Sequence, residues 1–169
     1  MSWMDSVKDA LPEYAKDIKL NLDNVINRSS LSVEEATGCA LAAVLAAGNK
    51  NVAVAIGDDM ENKVERDAAK AAAAIMAQNN VWYTYPDMTG DEQLKGLPAQ
   101  LRMNIIGSHG GTTKARFEAY SLCASIVGKC TFCVKAHYDV LKKEGYAVEQ
   151  LRDIGRIAAV MTAVAKVII

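Results

Sequence analysis

Between Glu61 and Gln78 the chain passes through Ala68, Ala69, Ala71 to Ala74, Ile75 and Met76 without a glycine or a proline. Alanine loses no side-chain freedom in a helix, so this stretch predicts a long helix. The same bias holds elsewhere. Leu11, Tyr14, Ala15, Ile18, Leu22 and Val25 recur at helical spacing, with Pro12 suited to a first turn. Ser32-Val33-Glu34-Glu35 fits a capping box opening an Ala/Leu/Val helix, which Gly48-Asn49 should end. A short helix is expected around Val52 to Ile56. Turn signals at Tyr85-Pro86, Thr89-Gly90 and Gly96-Leu97-Pro98 predict a loop from Thr84 to Gln100, with one helical turn near Asp91 to Lys95. Further helices are expected over Leu101–Ile106, from a cap at Thr112 or Thr113 to Val127, from Cys130 to Glu144, and from Val148 to Val167. Val81 to Tyr85 is the one short strand candidate. The predicted class is all-α.

A faint internal echo runs through this pattern. Glu35 to Gln78 parallels Glu118 to Ala163, with Gly48-Asn49 standing where the second copy has Gly128-Lys129-Cys130. The reading is one domain over 1–169. It has a degenerate N-terminal half (about 1–83) and a C-terminal half (about 101–169) that alone carries chemistry.

The 19 basic and 20 acidic residues nearly cancel, which speaks against the clustered positive charge that nucleic acid requires. The first ten residues hold no apolar run or cleavage site. The apolar stretch from Ile157 to Ile169 is broken by Lys166 and too short for a bilayer. A cytoplasmic protein without a membrane role is expected. Four cysteines, Cys39, Cys123, Cys130 and Cys133, are too few for a disulfide scaffold at this length. In a reducing compartment a Cys-x-x-Cys is catalytic or metal-binding rather than structural.

Cys130-Thr131-Phe132-Cys133 is that motif, and His137 follows four residues later. At about 100° per residue, Cys133 lies about 60° from Cys130 and His137 about 40° from Cys133, all on one stripe of a helix. Cys130 falls near the helix start beside Lys129, where free N–H groups and positive charge favour the thiolate. Gly128 reads as the turn between two antiparallel helices. Glu118, ten residues before it, and His137, nine after, then come to the same height, where a carboxylate can orient the imidazole. The expected chain is Glu118, His137, Cys133, with Cys130 as partner thiol. Zinc is the rival use of Cys130, Cys133 and His137, but a fourth ligand would have to come from Cys39, Cys123, His109 or a carboxylate. Cys39 and Cys123, set among Ala and Leu, read as core thiols, and His109 beside Gly110-Gly111 as a loop residue.

A glutamate, eleven residues, Cys-x-x-Cys, three residues and a histidine is met here by Glu118, Cys130, Cys133 and His137. With it stand Leu11-Pro12-Glu13-Tyr14-Ala15-Lys16-Asp17, Ala74-Ile75-Met76 with Asn79-Asn80-Val81, and Leu101-Arg102-Met103-Asn104-Ile105-Ile106. On these residues the chain resembles the alkyl hydroperoxide reductase D (AhpD) proteins, within the carboxymuconolactone decarboxylase-like superfamily. The resemblance implies an all-helical fold of two related halves, often trimeric, that reduces organic hydroperoxides through thiols and holds no bound cofactor. It implies electrons arriving from the dihydrolipoyl group of a lipoyl-bearing protein and passing to a partner peroxiredoxin. Cys133 would react with peroxide, and Cys130 would be its disulfide partner. Some members carry a histidine between the cysteines, where this chain has Phe132, so His137 and Glu118 must suffice. The alternatives are a disulfide-exchange adaptor without peroxidase activity, a zinc-stabilised module, and a decarboxylase with no need of the thiol pair.

Overall fold

Helices alone build the protein. A computed structural model describes all residues from Met1 to Ile169. The order is α1 (Trp3–Ala10), α2 (Lys16–Asn27), α3 (Val33–Ala47), α4 (Lys50–Asp59), α5 (Lys63–Thr89), α6 (Glu92–Lys95), α7 (Asn104–Ser108), α8 (Lys114–Gly128), α9 (Thr131–Lys143) and α10 (Val148–Val167). Short 3-10 turns occupy Glu13–Ala15 and His109–Gly111. None of the helices is long and apolar enough to cross a membrane.

The centre is a pair of helices buried almost all round. Every residue of α3 from Glu35 to Val44 is buried, and every residue of α8 from Phe117 to Ser125. Such helices need neighbours on all sides. The two pack on each other, and α5 and α10 pack on both. Their approach is close because Gly38 faces the Tyr120 ring; a Cβ at position 38 would lie 2.5 Å from Tyr120 Cε1.

Several polar groups are buried with these helices, and most have a partner, as buried polar atoms require; Ser121 Oγ on α8 and Thr84 Oγ1 on α5 have none. Glu65 accepts from the Tyr120 hydroxyl and from Thr112 Oγ1 (2.5 Å), and pairs with Arg116 at 3.1 Å. Asp153 on α10 accepts from the backbone and hydroxyl of Ser30, both at 2.8 Å, tying α10 to the α2–α3 turn. Burial alone would raise the Asp153 carboxyl. The Ser30 bonds and those from Arg152 and Arg156 outweigh it and hold the group below the usual carboxylate range. This stabilisation is present above the unfolded carboxylate pKa and is lost as pH falls toward the depressed folded value.

The structure departs from the sequence reading at four places. First, α1 was not expected, because Trp3, Met4, Val7 and Leu11 form a buried face rather than a run. Pro12 precedes the 3-10 turn, and α2 starts only at Lys16. Second, Ser32 Oγ accepts from Glu35 N (3.2 Å), but Glu35 does not complete the capping box. Its carboxylate instead accepts from the Tyr146 hydroxyl across the core, and burial pushes the carboxyl up. Third, the expected strand from Val81 to Tyr85 and the start of the expected loop, as far as Thr89, are the last turns of α5, whereas from Gly90 to Gln100 the chain is a loop with one helical turn, α6, as expected. Helix α5 continues through the buried Pro86 to Thr89, whose hydroxyl donates to Pro86 O (2.8 Å), and Gly90 ends it in the left-handed region. Proline this near a helix end removes one bond without stopping the last turn. Fourth, the helix placed over Leu101–Ile106 runs from Asn104 to Ser108, through Gly107, and stops at left-handed His109.

Candidate active site

The thiol pair sits at the head of the α8–α9 hairpin. Thr113 Oγ1 caps α8 by accepting from Arg116 N (3.3 Å). The turn is made by Lys129, not Gly128: Lys129 has φ 55°, while Gly128 is the last residue of α8. Gly128 is needed for space. A Cβ there would lie 2.1 Å from Asn80 Nδ2 on α5. That amide is fixed from both ends, donating to Ala124 O (3.4 Å) and accepting from Ser125 Oγ (3.0 Å).

Directly after the turn, Cys130 is the N-cap of α9. Its sulfur accepts from the backbone N–H of Cys133 at 3.2 Å, the place usually held by a serine or aspartate oxygen. Negative charge on this sulfur would face the free N–H groups and positive end of α9. Cys130 and Cys133 are joined in a disulfide with Cα atoms 5.3 Å apart. Both are buried, Cys130 completely and Cys133 to 4% exposure.

One turn further along α9, His137 Nδ1–H donates to Glu118 Oε2 at 2.5 Å, with both side chains largely buried. The hairpin thus brings the two residues into contact, although its turn lies at Lys129 and not at the Gly128 about which their spacing is nearly equal. With Nδ1 committed to the carboxylate, Nε2 is the atom of the neutral ring that can take a proton. In this disulfide form Nε2 is directed at Met76 Sδ (3.1 Å) and makes no hydrogen bond to either cysteine. The expected link from His137 to Cys133 is therefore present as a shared helix face and not as a contact.

Sequence reasoning missed what α5 contributes. It packs against α9 in a regular register: Met76 against His137, Asn79 against Cys133, whose Sγ lies 3.7 Å from Asn79 O, and Tyr83 against Phe132, with ring centroids 4.6 Å apart. Positions 76, 79 and 83 follow helical spacing, so they form one stripe facing positions 137, 133 and 132. The i, i+3, i+7 pattern was the available signal, but nothing local joined it to a hairpin some fifty residues on.

The remaining candidates lie elsewhere. Cys39 and Cys123 are fully buried free thiols, Cys123 facing Ile154 O at 3.7 Å; burial holds the Cys39 thiol well above its ordinary value. The His109 ring tilts against Phe117, with centroids 6.3 Å apart. No three His, Cys, Asp or Glu side chains are grouped so as to hold a metal ion.

Residues 92–168 match the carboxymuconolactone decarboxylase family model. The chain is 42% identical over 168 residues to the alkyl hydroperoxide reductase AhpD of Rhodospirillum centenum, covering 98% of this chain and 90% of that protein. It is 40% identical over 170 residues to the AhpD of Coxiella burnetii (97% and 96%), and 38% identical over 168 residues to that of Maricaulis maris (98% and 96%). Identity at this level along nearly the whole of both chains, together with the helical fold and its Cys-x-x-Cys hairpin, establishes that the protein belongs to the alkyl hydroperoxide reductase AhpD family.

Proposed function

We propose that the protein is an antioxidant oxidoreductase that reduces organic hydroperoxides with Cys133 and Cys130. In the dithiol form His137 takes the proton of Cys133, and Glu118 holds the resulting imidazolium. The Cys133 thiolate attacks the peroxide, the O–O bond breaks, and the alkoxide leaves as an alcohol with the proton from His137. Cys133 is then a sulfenic acid. The Cys130 thiolate displaces its hydroxyl, which leaves as water with one further proton, and the Cys130–Cys133 disulfide forms. An external dithiol, proposed to be the dihydrolipoyl group of a partner protein, returns two electrons by exchange and is itself oxidised to a disulfide. A peroxiredoxin disulfide is proposed as a further acceptor from the same dithiol.

The observation that supports this reading most is the disulfide at the N-terminus of α9, one turn from a buried imidazole and carboxylate 2.5 Å apart. A structural disulfide needs no such pair. The direct test is a thiol count by mass spectrometry on the reduced protein, before and after one equivalent of cumene hydroperoxide. Two thiols should be lost, both from the peptide carrying Cys130 and Cys133, with Cys39 and Cys123 unchanged. Loss at Cys39 or Cys123, or no loss at all, would refute the proposal.

A further inference from the structure

Between the two cysteines stands Phe132, a large apolar side chain left 55% exposed. Its ring lies on Tyr83 at 4.6 Å with 26° between the planes. The pair forms one wall of a groove of about 440 Å³, completed by Trp82, Pro86, Leu97 and Pro98 among its apolar lining. That volume is in the range of small-molecule sites. The α5–α9 register fixes its distance from the chemistry: Asn79 faces Cys133, and Tyr83, one turn further on α5, faces Phe132. The groove therefore begins about 6 Å along α5 from the reactive pair.

Its charges argue against an anionic occupant. The two charged residues lining it, Asp87 and Lys95, pair with each other at 3.4 Å, and Lys95 is also bound by Glu92 at 3.0 Å. Lys95, held by two carboxylates, leaves no free positive charge to recognise a carboxylate or a phosphate. Flat aromatic and proline surfaces instead suit a bulky or aromatic hydrocarbon.

We propose that this groove seats the hydrocarbon body of an organic hydroperoxide, and that Phe132 sets the preference for bulky over small peroxides. The inference rests on the peroxidase reading but can be tested without turnover. Cumyl alcohol, the product expected from cumene hydroperoxide, is titrated into the disulfide form while the fluorescence of Trp82 is followed. Saturable binding is expected, weakened about tenfold by Phe132→Ala and largely retained in Phe132→Leu. Phe132 is exposed, so neither change disturbs the core. In turnover, the ratio of kcat/KM for cumene hydroperoxide to that for hydrogen peroxide should fall about tenfold in Phe132→Ala. Absence of saturable binding, binding indifferent to Phe132→Ala, or occupation by lipoamide but not by cumyl alcohol would each overturn the proposal. If cumyl alcohol binds as expected and no peroxide is consumed, the groove stands and the redox reading falls.

Discussion

The α3–α4 and α8–α9 hairpins are the same backbone device used twice. Their N-caps Ser32 and Thr113, their left-handed turn residues Gly48 and Lys129, and the caps of their second helices, Asn49 and Cys130, each stand 81 residues apart. Even the capping bond repeats. Asn49 Oδ1 accepts from Val52 N at 3.0 Å, and Cys130 Sγ accepts from Cys133 N at 3.2 Å. What differs is what the side chains do next. The Asn49 amide donates to Ala165 O (3.1 Å) and Ile168 O (2.5 Å), fastening the end of α10. Cys130 bonds to Cys133 instead. Where the second hairpin has Glu118 and His137, the first has Thr37, whose hydroxyl donates to Val33 O in its own helix (2.7 Å), and Ile56, fully buried. The fold thus supplies a helix N-terminus and a facing helix in both places. The proposed chemistry needs four side chains, Glu118, Cys130, Cys133 and His137, that are present together in only one.

The largest expected effect removes the sulfur from that register. Cys133→Ser and Cys130→Ser should each reduce multiple-turnover peroxide consumption by about a thousandfold or more, because neither leaves a dithiol to close the cycle. Cys39→Ser, in the first hairpin, should leave turnover in place once the variant is folded. Steady-state rates with a dithiol reductant decide it. Full turnover in either single variant of the pair would remove the proposed cycle.

Next come the groups that handle the proton. His137→Gln should slow alkylation of reduced Cys133 about a hundredfold near neutral pH, in line with the usual contribution of a positioned base. Glu118→Gln keeps the shape but removes the charge, and should cost about tenfold. It acts through His137, so it should also move the pH–rate profile of Cys133 alkylation, which a merely structural loss would not. An unchanged profile would reduce Glu118 to a packing residue and bring the second hairpin closer to the first.

The glycines of the two hairpins should then separate by cause. Gly128→Ala forces a Cβ against Asn80 Nδ2, whose bonds to Ala124 and Ser125 leave it little room, and should destabilise by about 1–3 kcal/mol. Gly48→Ala meets no atom within 4 Å but sits at φ 87°, and should cost about 1 kcal/mol through backbone strain alone. Urea midpoints at constant slope measure both. Only Gly128→Ala should also slow Cys133, since only it displaces α5 from the thiol pair.

The site was legible where it is local. Cys130, Cys133 and His137 lie within eight residues at the start of one helix, and Glu118 lies on the helix just before the turn. Those relations survive any tertiary arrangement. Met76, Asn79 and Tyr83 were not legible as neighbours of the Cys130–His137 stripe, because they reach it only through the way α5 docks on α9. The C-terminal half of α5 was misread for a related reason. Aromatic and β-branched residues from Val81 to Tyr85 followed by Pro86 look like a strand and a turn, yet packing keeps them helical. Glu35 shows the same competition on a smaller scale: a partner across the core, Tyr146, displaced the local capping bond that its spacing announced.

The smallest expected effect concerns the turn itself. Gly48 makes it in the first hairpin without strain, whereas Lys129 makes it in the second at φ 55°, a region that costs a residue with a Cβ about 1 kcal/mol. The lysine there places a positive charge next to Cys130 in the chain. Lys129→Gly should therefore do two opposite things. It should raise stability by about 0.5–1 kcal/mol, less the greater freedom glycine gives the unfolded chain. It should also slow reaction of the Cys130 thiol with a neutral alkylating agent by about twofold to threefold, an effect that shrinks with added salt as a surface charge interaction must. Lys129→Arg should keep the rate and its salt dependence without the gain in stability. A glycine variant that is more stable and equally reactive would make the turn residue indifferent to the chemistry, leaving the difference between the hairpins to the sulfurs, the imidazole and the carboxylate alone.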